Sequence, residues 1–467
     1  MTVSASPEVV RPTIVVVGGG LAGLSASLEA ARYAASLRER VQIVVFEKMP
    51  ALGGNSVKAS SGLSSLELAS GDTEAVSFED TIKTGGVLSN QTIVRKLVHE
   101  SADALHIVES FGVSLSAPSH CGCTRSLARA GTQSAPTWGA VIMSALAAAA
   151  QREESIEIMT GTRMLELLSV STATTATGVE GVSYQLSSDT TATPVAHGTC
   201  GERLELPAEA VILATGGFAA SPEQLARWAL KLAALPSTNG NCAAGDGLLA
   251  GLRLGAATIQ LDSVQVHPTA IVNPADPDAR TKWLAPEAMR GLGGILLDAH
   301  TGRRFVDELQ MRSVVTAALL ARGGRASLVL GEAAASAFGL QTLGVYVKKE
   351  LASVHAGFSE LAKHFGVPEQ VLREEANTYG QGRRPGGATA DGGVFYSLSV
   401  TPALHYCMGG LRIGSFGEVL AELDAGQYAP VPGLFAAGEV TGGVHGENRL
   451  AGNSLTECPS TLRSTAH

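Results

Sequence analysis

The segment that most constrains the fold lies near the start of the chain and combines two apolar runs with a glycine-rich turn. Thr13–Val17 is an unbroken apolar and β-branched run, typical of a strand buried on both faces of a parallel sheet. Gly18–Gly23 follows at once, and an Ala/Leu-rich stretch then predicts a helix from Leu24 to about Leu37. A second apolar run, Val41–Phe46, ends at Glu47. This order predicts a βαβ unit of Rossmann type.

The turn carries the spacing G-x-G-x-x-G, which binds the pyrophosphate of a dinucleotide when strand and helix flank it. Gly18 permits the tight turn, Gly20 lets the backbone approach the pyrophosphate, and Gly23 lets the helix pack on the strand. The helix N-terminus faces the phosphates. Glu47, at the tip of the second strand, can accept hydrogen bonds from a ribose diol.

Further strand-like runs come from distant parts of the chain. Ile156–Met159 is one, Ala210–Ala214 runs into a Thr-Gly-Gly turn, and Gly433–Ala437 runs into Gly438 and Glu439. The carboxyl ends of such strands gather at one crevice of an open α/β sheet, where ligands bind. Val170–Leu206 predicts a hairpin or edge excursion.

Length and composition indicate a large folded chain. The 467 residues exceed what one core usually organises, so we expect two domains or one elaborated domain. A hydrophobic fraction of 45% with 16% charged residues excludes intrinsic disorder. The 34 Lys and Arg against 43 Asp and Glu give a net charge of −9, which argues against nucleic-acid binding.

The sequence also indicates where the protein works. No apolar run approaches the ~18 residues of a membrane-spanning helix, and the N-terminal residues lack the features of a secretory signal. Six scattered cysteines predict neither a disulfide framework nor a metal site. We therefore expect a cytoplasmic protein with no membrane span, and a mitochondrial or other organellar location stays open.

Six blocks of motif-like sequence follow the βαβ unit. They are Gly53–Ser56 with Ala59–Gly62, Thr238–Gly240 with Gly245–Gly247, Gln265–Thr269, Glu287–Gly291 with Gly302–Glu308 and Arg312, His405–Gly410, and Gly438–Ser454. In this order they resemble the FAD-binding flavoproteins of the fumarate reductase/succinate dehydrogenase family, particularly the soluble single-chain fumarate reductases. The resemblance covers residues ~13–457.

The resemblance implies an α/β fold in which a Rossmann-type FAD-binding domain carries an inserted α+β capping domain. The FAD-binding domain would comprise residues 11–261 and 406–467, and the capping domain residues 262–405. His267 and His405 would then lie at the two junctions between the domains.

Reduction of an alkene between two carboxylates needs groups that hold both carboxylates and an acid that faces one alkene carbon. Arginine is the natural carboxylate clamp because its planar fork donates two parallel hydrogen bonds, so spacing alone would make Arg312 a clamp. The resemblance assigns it another role, the delivery of the proton. It also implies that the proton relay to Arg312 consists of Glu287 and Arg290, and that the dicarboxylate is held by His267, His405 and Arg449.

The cofactor implied by the resemblance is FAD, which would supply a hydride. Asn55 stands where family members with covalent FAD have a histidine, so we expect the FAD to be non-covalent. Glu47 would bind the adenosine ribose, and Asp246 and Glu439 the ribityl side. The full set of expected FAD-binding residues is Gly18, Gly20, Leu21, Ala22, Gly23, Glu47, Lys48, Gly54, Asn55, Ser56, Ser60, Ser61, Gly62, Thr215, Gly216, Asp246, Glu439, Ser454 and Leu455.

The predicted function is the FAD-dependent reduction of fumarate to succinate, with proton delivery from an arginine. Ser119–Arg129 departs from the family pattern, which leaves open another unsaturated or dicarboxylic acid as substrate. Pro459 follows soon after Leu455 and predicts a shortened final helix, which leaves open a catalytically impaired FAD-binding paralogue. The electron donor is also open: NADH, reduced flavin or a reductase partner.

Overall fold

The computed structural model describes ten segments of the chain: residues 11–60, 62–66, 72–113, 118–120, 127–129, 137–171, 177–187, 200–380, 393–424 and 426–460. Ser61 lies outside these residues, as does most of the Ser119–Arg129 segment.

A six-stranded, mainly parallel sheet forms the centre of the Rossmann-type part. Its strands, in spatial order, are Glu418–Asp424, Gln427–Ala436, Ala210–Leu213, Thr13–Val17, Gln42–Glu47 and Ile156–Thr160. The last five pair in parallel, and the hairpin of the first two is antiparallel. The five predicted strand-like runs thus lie side by side, and the predicted fold class is confirmed.

Two boundaries differ from the sequence prediction for physical reasons. The first helix spans Leu21–Leu37 rather than beginning at Leu24, because the extended N-cap Gly20 already ends the turn. The strand predicted at Gly433–Ala437 begins earlier, at Gln427, because pairing with Glu418–Asp424 extends it beyond the parallel sheet.

A second, antiparallel sheet lies in the part of the chain predicted to be the cap. Its strands, in spatial order, are Trp283–Leu284, Val264–Ile271, Val394–Cys407, Ala326–Gly331 and Ile295–Leu297, with Ser353–Ala356 also paired to Val394–Cys407. The division into residues 11–261, 262–405 and 406–467 stays a prediction, and its second boundary falls within a strand. His267 and His405 therefore lie inside paired strands, not in hinge loops.

Three smaller sheets complete the strands. The predicted hairpin begins earlier than Val170 and has three antiparallel strands, Thr162–Ser171, Thr177–Leu186 and Arg203–Pro207. The other two sheets are Leu63–Ser64, Leu127–Arg129 and Pro118–His120, and Thr258–Ile259 with Gly410–Leu411.

The helices flank the sheets. None within the described part of the chain combines the length and apolarity needed to cross a membrane. They are Leu21–Leu37, Glu74–Gly85, Gln91–His99, Ser101–Ser110, Trp138–Arg152, Pro222–Trp228, Asp246–Arg253, Glu287–Gly291, Arg312–Leu320, Glu332–Phe338, Leu340–Lys348, Gly357–Phe365, Glu369–Gly380 and Asn453–Ser460.

The last helix is short, as expected from its proline, but it is well packed. Asn453–Ser460 includes Pro459 and packs against Leu21–Leu37 and Ser101–Ser110. Leu455 and Cys458 belong to the apolar core formed with the first helix. The proline therefore still permits two helical turns beside the Rossmann turn.

Candidate active site

A cavity of about 1740 Å³ runs along the carboxyl ends of the parallel strands and continues to the antiparallel sheet. It exceeds the ~300–1,000 Å³ of most small-molecule sites, so it has room for a dinucleotide and a second small ligand. Most of the predicted site residues line it: Gly18, Gly20, Leu21, Ala22, Glu47, Lys48, Gly54, Asn55, Ser56, Ser60, Gly62, Thr215, Gly216, Asp246, His267, Arg312, His405, Glu439, Arg449, Ser454 and Leu455.

The glycine-rich turn has the shape of a cradle for a dinucleotide. Gly18 has a φ of +116°, and a Cβ at Gly23 would lie 1.8 Å from the carbonyl oxygen of Gly18. Both glycines are therefore required for the turn and for the helix to pack on it. A Cβ at Gly20 would meet nothing closer than Ser56 Oγ at 3.6 Å, and one at Gly54 or Gly216 would meet nothing within 4 Å. These three positions leave backbone open to a ligand.

Acidic and basic side chains lie close together at the end of the cavity that contains Glu47. Glu47 accepts hydrogen bonds from the backbone N–H of Gly19 at 2.9 Å and of Met49 at 2.8 Å. Burial raises the pKa of Glu47, against the effect of these hydrogen bonds. Asp246 pairs with Lys48 and, at 3.0 Å, with Arg163. Lys48 and Asp246, predicted as separate FAD contacts, therefore neutralise one another beside Glu47.

Asn55 and Ser56 also line the cavity, and hydrogen bonds fix both side chains. The Asn55 amide donates to Asn239 Oδ1 at 2.5 Å and accepts from the Gly240 N–H at 2.9 Å. Ser56 Oγ accepts from the Leu21 N–H at 3.2 Å, which joins this loop to the first turn of the helix. An amide held in this way is no nucleophile and offers hydrogen bonds only.

Glu439 lies further along the cavity, below Gly217. Its Oε1 accepts from the Cys407 N–H at 2.8 Å, and burial raises its pKa from 4.5 to about 7. Ser454 and Leu455 reach the same cavity from the first turn of the last helix. This end of the cavity meets the antiparallel sheet.

His267 and His405 come from neighbouring strands of that sheet, and their ring centroids are 5.2 Å apart. Burial and the nearby cations Arg312 and Arg449 hold the pKa of both histidines well below the ordinary value, so both rings are neutral. Nδ1 of His267 accepts from the Thr269 N–H at 3.2 Å. Its proton is therefore on Nε2, where it can be donated to an anion.

Arg312 stands at the start of a helix and is held by two side chains. Its Nε and Nη2 donate to Glu287 Oε2 at 2.8 and 2.5 Å, and its Nη1 donates to Gln265 Oε1 at 2.7 Å. These contacts use three of the five N–H groups of the guanidinium, which leaves two for a ligand in the cavity. Burial raises the pKa of Glu287, but Arg312 and Arg290 outweigh it and the pKa falls below its ordinary value.

Arg290 lies three residues beyond Glu287 on the same short helix, hence on the same face. It is 1% exposed, and its Nη1 donates to the carbonyl of Glu308 at 2.5 Å. Glu308 is itself fixed by Arg304 and by the Leu296 N–H. Neither Arg290 nor Glu287 is among the residues that line the cavity, whereas Arg312, which Glu287 holds, does line it.

Arg449 closes the site from the Rossmann side. It is 5% exposed, donates from Nη1 to the carbonyl of Leu450 at 3.0 Å, and lies with Cζ 4.7 Å from the ring centroid of Tyr406. Burial and Arg312 lower its pKa to about 10, so the guanidinium stays charged at neutral pH.

The structure thus brings His267, His405, Arg312 and Arg449 together on the cavity wall, as predicted. The other predicted residues Glu287, Arg290 and Gly23 are not among the residues that line the cavity. Sequence reasoning assigned no role to Gln265 or Tyr406, although they stand beside His267 and His405 in the same strands. The strand bulge after Gln265 could not be anticipated from the sequence.

Residues 13–455 match the protein family described as FAD binding domain. The chain is 33% identical to fumarate reductase 1 of Saccharomyces cerevisiae over 97% of each chain. It is 30% identical to the fumarate reductase (cytochrome) of Shewanella frigidimarina, over 95% of this chain and 74% of that one.

The solved open conformation of a flavocytochrome c3 fumarate reductase has a TM-score of 0.74 to this structure at 27% identity, covering 98% of this chain and 78% of that one. The open glycine cradle and the size of the cavity fit the cofactor of that family. The chain therefore belongs to the FAD-binding flavoprotein family of the fumarate reductases, and its cofactor is FAD.

Proposed function

We propose that the protein reduces fumarate to succinate. The observation that carries the proposal is the cluster of His267, His405, Arg312 and Arg449 at the end of the cavity beyond Glu439. Two neutral imidazoles and two guanidinium groups suit a small dianion, and the fumarate reductase relatives support this choice of substrate. FAD, when bound, supplies the hydride, which leaves the chain to supply binding and the proton.

The dicarboxylate is held by Arg449 and the two histidines. The Arg449 guanidinium is charged and desolvated, which strengthens its hydrogen bonds to a carboxylate. His267 donates from Nε2, because Nδ1 is occupied by the Thr269 N–H. Neutral donors beside two arginines bind a dianion without adding further positive charge to the free site.

Arg312 delivers the proton to the second alkene carbon. Its partner Glu287 contacts both Nε and Nη2, so a proton lost from the guanidinium can be replaced through that carboxylate. Arg290, buried next along the helix, supplies Glu287 in turn. Addition of one hydride and one proton to fumarate gives succinate, and the two electrons of the hydride come from the electron donor considered below.

The antiparallel part, residues 262–405, acts as a cap in this proposal. It carries Glu287, Arg290 and Arg312, whereas Arg449 belongs to the Rossmann part. A site assembled from both parts excludes water when ligand is bound, and exclusion of water strengthens every charge contact.

We also propose that FAD is held non-covalently, since Asn55 offers only an amide where attachment would need a nucleophile.

We propose that a separate molecule supplies the electrons: NADH, a reduced flavin or a reductase partner. One assay distinguishes the three donors. Each is supplied anaerobically together with the protein and fumarate, and the rates of succinate formation are compared. The fastest donor identifies the class.

The central test is anaerobic. The purified protein is loaded with FAD, reduced chemically and mixed with fumarate, and the return of the oxidised flavin absorbance is followed. Rapid reoxidation supports the proposal, and Arg312→Ala should abolish it with FAD still bound. If the flavin stays reduced with fumarate but is reoxidised by another unsaturated acid, that acid replaces fumarate as the proposed substrate. A protein that holds no FAD would favour an impaired paralogue. Arg322→Ala, at a cation–π pair with Phe305 outside the cavity, is the control.

A further inference from the structure

Four side chains form a buried hydrogen-bonded cluster behind Arg449, centred on Glu457. Glu457 Oε2 lies 2.7 Å from both the Tyr406 hydroxyl and His445 Nε2, and its Oε1 lies 3.2 Å from the Thr441 hydroxyl. We call Tyr406, Thr441, His445 and Glu457 the Glu457 cluster. All four residues are buried, with exposures of 7%, 3%, 2% and 1%. So much buried polarity in one place calls for a role.

The cluster reaches the cavity through one member. Tyr406 lines the cavity, and its ring lies under the Arg449 guanidinium at 4.7 Å. His445 makes an edge-type contact with the Tyr406 ring, with ring centroids 5.5 Å apart at 70°. The ring is therefore held at its hydroxyl by Glu457 and along its edge by His445, which leaves little freedom for it to tilt.

Arg449 depends on that ring for its orientation. Within the described residues its Nη1 has one hydrogen-bond acceptor, the adjacent carbonyl of Leu450, and its buried Nε has none. A contact to a backbone carbonyl one residue away does not fix the plane of the guanidinium. The aromatic face does, because a cation is attracted to it and stacks against it.

We propose that Tyr406, anchored by Glu457 and His445, is a positioning residue that aims Arg449 at the dicarboxylate. This inference rests on the proposed function, since it assigns Arg449 as the clamp. It connects the final helix, which supplies Glu457, to substrate affinity. The helix thus contributes to the substrate site through Glu457 as well as to the flavin site through Ser454 and Leu455.

The test uses the FAD-loaded enzyme and three variants. Tyr406→Leu removes the ring, Tyr406→Phe removes only the anchor to Glu457, and Tyr428→Leu removes a matched ring under Arg412, 4.3 Å from its centroid and outside the cavity. Four quantities are measured: FAD per protein, the Kd of fumarate for the oxidised enzyme from its flavin absorbance, kcat and KM.

Loss of the ring should raise both the Kd and KM of fumarate by about 3- to 30-fold, the range of a cation–π contact. The kcat at saturating fumarate and the FAD content should change less. Tyr406→Phe should lie between Tyr406→Leu and the wild type, and Tyr428→Leu should match the wild type. Unchanged fumarate affinity in Tyr406→Leu would overturn the inference.

A double-mutant comparison separates positioning from general damage. With Arg449→Ala already present, Tyr406→Leu should add no further rise in the Kd of fumarate, because its effect acts through Arg449. An additive effect would contradict the inference. If Tyr406→Leu loses FAD, Glu457→Gln, which keeps the size of the anchor, should still raise the Kd, and an unchanged Kd would overturn the inference. If the wild type neither binds nor reduces fumarate, the proposed function itself fails.

Discussion

Gln265 ties Arg312 to the backbone of Arg449. Its Oε1 accepts from Arg312 Nη1 at 2.7 Å, and its Nε2 donates to the carbonyl of Arg449 at 3.3 Å. One buried amide thus sets the distance between the proposed proton donor and the proposed clamp. Both contacts use the amide ends in the only sense that satisfies them, because the oxygen accepts and the nitrogen donates.

Replacement of that amide should misplace the proton donor. We expect Gln265→Leu to lower kcat for fumarate reduction by about 10- to 100-fold, because small errors in reacting geometry are costly. The KM of fumarate should change less, and FAD content should stay at the wild-type value. Steady-state kinetics with a flavin-to-protein ratio measure both. Gln310→Leu, at an exposed position in the same part of the chain, is the control, and equal kcat in the two variants would refute the role of Gln265.

Loss of the carboxylate next to Arg312 should impair proton supply. Glu287→Gln keeps an acceptor for the Arg312 N–H groups but cannot carry the proton. We expect kcat to fall by about 10²-fold or more while the Kd of fumarate stays within a few-fold of the wild type. Rapid-reaction measurements on the pre-reduced enzyme would report the step directly. A variant whose flavin is reoxidised at the wild-type rate would exclude Glu287 from the relay.

The pKa of Glu439, raised to about 7 by burial, predicts a pH dependence of stability in the FAD-free protein. Between pH 4.5 and 7 the folded state keeps a proton that the unfolded state has lost, so the free energy of unfolding falls as pH rises. The loss is complete about one unit above pH 7, where the folded state has also released the proton. In the wild type this loss should amount to about 2 to 3 kcal/mol of the free energy of unfolding between pH 4.5 and pH 8. Glu439→Gln should remove this pH dependence.

Urea unfolding of wild type and Glu439→Gln at both pH values tests this prediction. Glu457→Gln provides a control of opposite sign. Burial raises the pKa of Glu457, but His445 and the hydrogen bonds outweigh it and the pKa lies below its ordinary value. Its carboxylate therefore contributes stability at neutral pH that is lost on acidification, and the variant should be less stable at pH 8.

Gly20 and Gly23 belong to the same turn, but we expect Gly23 to be needed for the stability of the fold and Gly20 for the binding of FAD. A Cβ at Gly23 would lie 1.8 Å from a backbone oxygen, so Gly23→Ala should destabilise the fold by about 3 kcal/mol or more. Gly20 has φ −81° and a free Cβ direction, so Gly20→Ala should change stability of the FAD-free protein by only about 1 kcal/mol.

The FAD affinity should distinguish them further. Gly20 lines the cavity, so an added Cβ would occupy space where the backbone would approach the cofactor, and we expect FAD to bind at least ~10-fold more weakly. Thermal unfolding without FAD and a titration with FAD measure the two effects. Equal FAD affinity in Gly20→Ala and the wild type would contradict the predicted approach of the pyrophosphate to the backbone of Gly20.

Much of the architecture could be predicted because it depends on local patterns. Thr13–Val17 was recognisable as a doubly buried strand, and the strand, glycine turn and helix each have their own sequence signature. The joining of distant strands into one sheet followed from their shared apolar, glycine-terminated pattern. The proposed roles of His267, Arg312, His405 and Arg449 came from the family resemblance, and their residue types suit a dicarboxylate.

Orientation and partnership were decided by tertiary structure alone. No local pattern pairs Gln265 with Arg312, or Glu457 with Tyr406, since these residues are separated by 47 and 51 positions. The helix Asn453–Ser460 forms despite Pro459, because packing against the first helix compensates for the missing backbone donor. The sequence by itself determined the Rossmann turn and the residue types of the site. Which atoms meet depends on contacts between distant segments, because burial and charge act through space rather than along the chain.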